Sequence, residues 1–195
     1  MRLPAESIRD AALAAAGLLN DRIGGPSVKP PQPEGIAELV YAGSAKWRAD
    51  EGPGRYRRGL YIHFQRTAPY PMLMNFDAPD SNVACSRRRR SNSPLQALNL
   101  LNDPVFHEAA QAFAYRLAAS VPEPNRIDEA FLAAVGRTPT AGERARLERL
   151  VRDQRAALAA RRDQAARLLP AKPEEAAWVT LARVLLTLDE FITRE

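Results

Sequence analysis

Apolar positions recur at helical spacing at both ends of the chain and lose it through a long middle stretch. Near the N-terminus, Leu3, Ile8, Ala12 and Ala15 or Ala16 follow the helical period from Pro4, and Gly17 or Asn20 ends the run. The pattern resumes at Ser93-Pro94-Leu95-Gln96, which supplies an N-cap, a proline at the first helical position and a glutamine placed to return the capping bond. Leu95, Leu98 and Leu101 then form one face. Asp103-Pro104 repeats the device, and Val105, Phe106, Ala109, Phe113 and Leu117 predict a helix to about Ala119. After the VPEPN break, Ile127, Phe131 and Val135 mark a shorter helix stopped by Gly136. Thr140 and Glu143 open a long helix to about Leu169, with Leu147, Leu150, Val151, Leu158, Ala165 and Leu168 inward. Pro173 starts the last one. Trp178, Leu181, Leu185, Leu188 and Ile192, widened by Val184 and Phe191, give it a broad apolar face, so it should pair with the long helix as an antiparallel hairpin.

The middle is different. IGGPSVKPPQPEG (23–35) holds four prolines and breaks regular structure, so it is an extended connection ordered only where something packs on it. Ile36, Leu39, Val40 and Trp47 are the anchors expected next, and EGPG (51–54) is a turn. RRGLYIHFQR (57–66) alternates like a strand, yet Leu60, Tyr61 and Phe64 would also serve a helical turn. Pro71, Met72, Leu73 and Phe76 form a compact apolar cluster. The fold class predicted is mainly α: a helical bundle with a C-terminal antiparallel helix hairpin, a long turn-rich central segment and at most one short strand. The chain reads as one domain, with an N-terminal helix (1–20), an irregular centre (21–92) and the bundle (93–195).

Composition changes this picture little, and charge changes it locally. No apolar run is long enough to span a membrane. MRLPAESIRD lacks the apolar stretch of a signal peptide. A single cysteine excludes an internal disulfide and a C-x-x-C-H haem attachment within the chain. The net charge of +5 comes from 28 basic residues of which only Lys29, Lys46 and Lys172 are lysines. Residues 55–90 contain eight arginines (55, 57, 58, 66 and 87–90) against Asp77 and Asp80, so the excess of positive charge sits in the centre.

Candidate chemistry gathers in the same place. Asp77 and Asp80 could act as an acid–base pair or hold a metal, but no further ligands follow, and FDAPD reads better as an aspartate-anchored turn. Cys85, among arginines, would be reactive if exposed; without a histidine base at hand the expectation is a buried thiol. Of the run Arg87–Arg90, including Arg88 and Arg90, one or two are expected to pair with Asp77, Asp80 or helix carbonyls while the others stay solvated. Gln96, Asn99, Asn102 and Asp103 could line a polar pocket, although Gln96 and Asp103 already serve as caps. His63 and His107 suggest no ligand site, and Trp47 and Trp178 anchor the core. Tyr56, Tyr61 and Tyr70 near the arginines offer stacking surfaces, but no nucleic-acid motif accompanies them, and nucleic-acid binding is disfavoured.

The line QRTAPYPMLMNFDAPDSNVACSRRRRSNSPLQALNLLNDPVF (65–106) resembles the signature of a Planctomycetes-type secreted domain of unknown function. LPAESIRDAALAAAGLLN, IGGPSV, AFLAAVGRTPTAGE and ARVLLTLDEFI extend the resemblance over nearly the whole chain. That domain typically follows a cytochrome-c-like domain and another uncharacterised one in long secreted proteins. The resemblance therefore implies an extracytoplasmic setting, with this chain corresponding to the C-terminal part of the domain. Any haem would belong to upstream domains, and no cofactor is expected here. Four consecutive arginines exceed the family's usual pattern.

The function expected is a structural or interaction module docking onto upstream domains or a protein partner, with an anionic glycan as a further ligand class. The alternative is half of an enzyme acting on polysaccharide or in haem-coupled oxidation, to which Arg66, Asp77 and the arginine cluster would contribute. No complete catalytic set is visible.

Overall fold

The computed structural model describes residues 1–33, 35 and 47–194, so the anchors expected at Ile36, Leu39 and Val40 lie outside the described residues. Helix α1 (Ala5–Ala16) opens on Pro4 and closes on Gly17, whose φ of 74° turns the chain as only glycine does without strain. Short helix α2 (Pro71–Asn75) carries the apolar cluster of the centre. The two proline-led helices follow as α3 (Pro94–Asn102) and α4 (Pro104–Ser120). Then come α5 (Arg126–Val135), α6 (Ala141–Ala159), α7 (Arg162–Leu168), α8 (Ala177–Leu186) and α9 (Asp189–Ile192). The fold is mainly helical, and among the described residues there is no strand.

Helix α4 is the centre of the core, packed between α1 and α8. Ala109, Ala110, Phe113, Ala114 and Leu117 are all fully buried, as are Ile8, Ala12 and Leu13 of α1 and Leu181, Ala182 and Leu185 of α8. Alanines on the facing surfaces let the helix axes approach closely, and the large side chains fill the remaining space. Each large apolar side chain removed from water contributes about 1.5–3 kcal/mol. Trp178, 2% exposed, is a core anchor as expected.

The C-terminal hairpin is present. Arg137 bridges Glu143 at the start of α6 to Glu190 in α9, while Arg155 near the other end of α6 reaches Glu175 just before α8. The two arms therefore run antiparallel, but each is interrupted. The helix expected to reach Leu169 unbroken breaks at Ala160–Arg161, where Arg161 leaves helical geometry at φ −134° and ψ 60°. No glycine or proline marks that position. The last helix begins as a 3₁₀ turn at Pro173–Glu175 and breaks again where Leu188 becomes extended. There Thr187 Oγ1 donates to the Val184 carbonyl at 2.9 Å.

In place of a strand, 57–66 forms a 3₁₀ turn at Gly59–Tyr61 between two isolated bridges, Arg57 to Asn20 and Ile62 to Val28. Gly59 lies against α1 so tightly that a Cβ would sit 2.8 Å from the Glu6 Cα. Its N–H donates to Asp10 Oδ1 at 2.6 Å, which kinks the alternating stretch. The proline-rich connection is ordered by aromatic donors: Trp47 Nε1 to the Pro30 carbonyl at 2.8 Å and Tyr70 Oη to the Pro31 carbonyl at 2.9 Å. Trp47 stacks on Tyr70, with ring centroids 5.8 Å apart.

Candidate interaction surface

The polar side of α1 organises the central segment. Glu6, Arg9 and Asp10 stand at i, i+3 and i+4 and so share one helix face. Arg9 is completely buried; its Nη1 donates to the Arg57 carbonyl at 2.6 Å and its Nη2 to the Arg55 carbonyl at 2.8 Å. Burial lowers its pKa, and the negative charges of Asp10, Asp103 and Glu108 oppose that shift. Arg58 Nε donates to Asp10 Oδ2 at 3.4 Å, and burial holds Asp10 above its ordinary value in spite of these partners. Arg57, also buried, extends the chain of ties. Its guanidinium donates to the carbonyls of Pro26 (2.6 Å), Arg22 (3.1 Å) and Gly24, and lies over the Tyr61 ring. Arg55 pairs with Glu108 of α4. A planar guanidinium can collect several carbonyls at once, so it replaces the backbone ladder that this segment lacks.

A second polar line runs from Asp77 to Asp103. Asp77, at φ 60°, accepts from Ser91 N (2.7 Å), from Ser91 Oγ (2.9 Å) and from Arg2 Nη2 (2.5 Å). Burial pushes its carboxyl up, but these donors outweigh it and hold the group below the usual range. Gln96 donates to the Asn75 carbonyl at 2.9 Å and to Ser91 Oγ at 3.1 Å. Asn99 accepts from Asn75 Nδ2 at 2.9 Å and donates to Asp103 Oδ2 at 3.0 Å. Asp103 caps α4 by accepting from Val105 N at 3.0 Å, and burial raises its pKa against that bond and the bond from Asn99.

This line turns α3 over relative to the face its leucines suggest. Gln96, Asn99 and Leu100 point inward, while Leu95, Leu98 and Leu101 are 61%, 52% and 40% exposed. Polar side chains with partners occupy the inner face, and three leucines are left to solvent.

The arginine run is treated in two ways. Arg88 forms a two-pronged pair with Glu6, at 2.7 and 3.0 Å, and this pair outweighs burial to hold Glu6 below its ordinary value. Arg87, Arg89 and Arg90 are exposed and have no hydrogen-bond partner among the described residues. Together with Met1, Asp77, Arg88 and Ser91 they line an open cleft of 990 Å³.

The remaining candidates are scattered. Asp80 is exposed and accepts from Asn82 N at 3.0 Å, an aspartate-anchored turn of the kind expected. Neither Asp77 nor Asp80 pairs with the run, because Arg2 and Ser91 occupy the first and the turn occupies the second. Cys85 is exposed, contrary to the buried thiol expected, because residues 81–90 loop away from the core. Arg66 sits on an exposed turn with no hydrogen-bond partner among the described residues. The structure thus joins Asp77, Gln96 and Asp103 in one hydrogen-bonded line, sets Arg88 and Arg90 in the cleft that Asp77 also lines, and leaves Arg66, Asp80 and Cys85 outside both. Sequence reasoning passed over Arg2, Glu6, Arg9 and Asp10. A signal for Arg9 was present: it lies four residues after Ala5 and three before Ala12, on the buried arc of α1.

Among the described residues, no helix is long and apolar enough to cross a membrane, and no three His, Cys, Asp or Glu side chains converge as metal ligands. Comparison with curated proteins and with solved structures returned no match. Residues 1–151 match the family model PSD1, described as a protein of unknown function (DUF1553), and the chain belongs to that family.

Proposed function

We propose that the chain is a docking module: a rigid helical body that presents α3 and the adjoining arginine cleft to a protein partner, whether upstream domains of a longer protein or a separate chain. One observation carries the reading, the outward set of Leu95, Leu98 and Leu101 on a helix whose inner face is fixed by hydrogen bonds. Apolar side chains grouped on a surface and rimmed by polar groups are characteristic of interaction sites. Arg87, Arg89 and Arg90 would add orientation and attraction for an acidic partner face. The extracytoplasmic, cytochrome-linked setting comes from the resemblance of the central motif alone and is part of this proposal.

The test is a photo-cross-linking side chain placed at Leu98, with Arg149 on the exposed side of α6 as control, in cells that produce the protein. Mass spectrometry of the cross-linked peptides should identify one recurrent protein at position 98 and none at 149. Equal, diffuse labelling at both positions would remove the proposal. So would a purified chain that turns over a substrate and loses that activity, while staying folded, on Arg66→Ala or Asp77→Ala.

A further inference from the structure

Resting on that docking reading, we propose that the occupant of this surface is an acidic amphipathic helix of a protein partner. The leucines of α3 stand at i, i+3 and i+6, and at about 1.5 Å rise per residue they form a stripe about 9 Å long, a fit for roughly two turns of a packed helix. The stripe cannot roll inward. Gln96 and Asn99 on the opposite face hold the Asn75 carbonyl, the Asn75 amide and Asp103, and rotation would leave those buried groups unpaired. The stripe starts beside the cationic surface, because Ser91, which lines the arginine cleft, stands only four residues before Leu95.

Charge then selects among occupants. Asp77 and Arg88 already have partners, so the cleft keeps the guanidiniums of Arg87, Arg89 and Arg90, which no carboxylate among the described residues pairs with. A second copy of this chain would bring its own three against them, and like charges brought together oppose association. A polyanion without apolar groups would fill the cleft and leave the leucines in water. A membrane surface would favour a helix with cations on its own polar flank, and α3 has none. A helix with leucine-type anchors and flanking glutamates or aspartates satisfies both parts of the surface.

The probe is a synthetic, fluorescently labelled helix of about five turns, with leucines at helical spacing and glutamates on both flanks, titrated against the full chain by anisotropy. Saturable binding is expected, weakened at least roughly tenfold by Leu95→Asp/Leu98→Asp and by Arg87→Glu/Arg89→Glu/Arg90→Glu, with melting curves showing both variants folded. Raising salt from about 0.05 to about 0.5 M should also weaken it. Equal binding of the same peptide with lysines in place of glutamates would overturn the proposal. It would also fall if a sulfated oligosaccharide or phosphatidylglycerol vesicles bound in the peptide's place, unaffected by the leucine changes. Sedimentation showing a dimer that Leu98→Asp dissociates would reassign the face to a second copy. If cross-linking at Leu98 identifies a partner while the acidic peptide fails to bind, the acidic helix is wrong and docking stands; if both fail, both readings fall.

Discussion

Arg57 holds three backbone carbonyls of the 22–26 connection with one side chain while stacking on Tyr61. A lysine keeps the charge but is a single point donor, so Arg57→Lys should cost about 1–3 kcal/mol in urea unfolding. Amide exchange at Gly24 and Val28 should accelerate in the same variant, and unchanged exchange there would show that the connection is held by something else. Asp103 gives a pH-dependent prediction. Its folded pKa is raised by burial, so the folded state takes up a proton before the unfolded chain does. As pH falls from neutral through that raised value toward the ordinary 3.8, the parent should gain stability relative to Asp103→Asn, then level off. Glu6 and Asp77 act in the opposite sense: held low, their contributions are present above 4.5 and 3.8 and are lost as pH falls through their lower folded values. Both carboxylates remain in the variant, so the difference between the two urea profiles isolates Asp103. A difference that is flat from pH 7 to pH 3 would contradict the buried carboxylate.

At the scale of elements, α3 shows where hydrophobic periodicity succeeds and where it misleads. Its start was legible, because Ser93, Pro94 and Gln96 act on adjacent backbone and need no tertiary information. Its facing was not. The three leucines outnumber Leu100, so pattern alone favours them as the core face; the actual facing is set by Asn75, Ser91 and Asp103, brought there by the fold. On the leucine-in reading, Asn99→Leu would be tolerated or stabilising. Here it should destabilise by about 1–3 kcal/mol, because Asn75 and Asp103 lose a buried partner; a raised urea midpoint would refute this. The breaks at Ala160–Arg161 and at Leu188 were invisible for a different reason. The apolar spacing continues across both, no glycine or proline marks either, and the one local contribution is the Thr187 hydroxyl bonded to the Val184 carbonyl before Leu188. Helices α4 and α5, by contrast, bury most positions their periodicity marks, Phe106, Phe113 and Leu117 in the first and Ile127 and Phe131 in the second, where Val135 is half-buried.

The molecule is a helical core centred on α4 between α1 and α8, completed by α5 and α6, with an irregular segment bound to it by guanidinium groups. Charge density correctly pointed to 55–90 as distinctive, and it could not separate arginines that tie the chain from arginines that face water. Arg55, Arg57, Arg58 and Arg88 are ties; Arg66, Arg87, Arg89 and Arg90 are exposed with no hydrogen-bond partner among the described residues. That division depends on Glu6, Asp10 and Glu108, which lie far away in sequence and close by in space. It leaves the arginine cleft and the outer face of α3, only four residues apart between Ser91 and Leu95, without an internal role among the described residues. The measurement that tests this most directly compares the urea stability of the triple variant Leu95→Ala/Leu98→Ala/Leu101→Ala with that of Leu100→Ala. The outward face predicts that all three changes together cost about 1 kcal/mol or less, while Leu100→Ala alone costs about 2–5 kcal/mol as a core truncation does. The reverse order, a triple variant losing several kcal/mol beside a tolerant Leu100, would show that the leucines belong to the core and that no docking face exists.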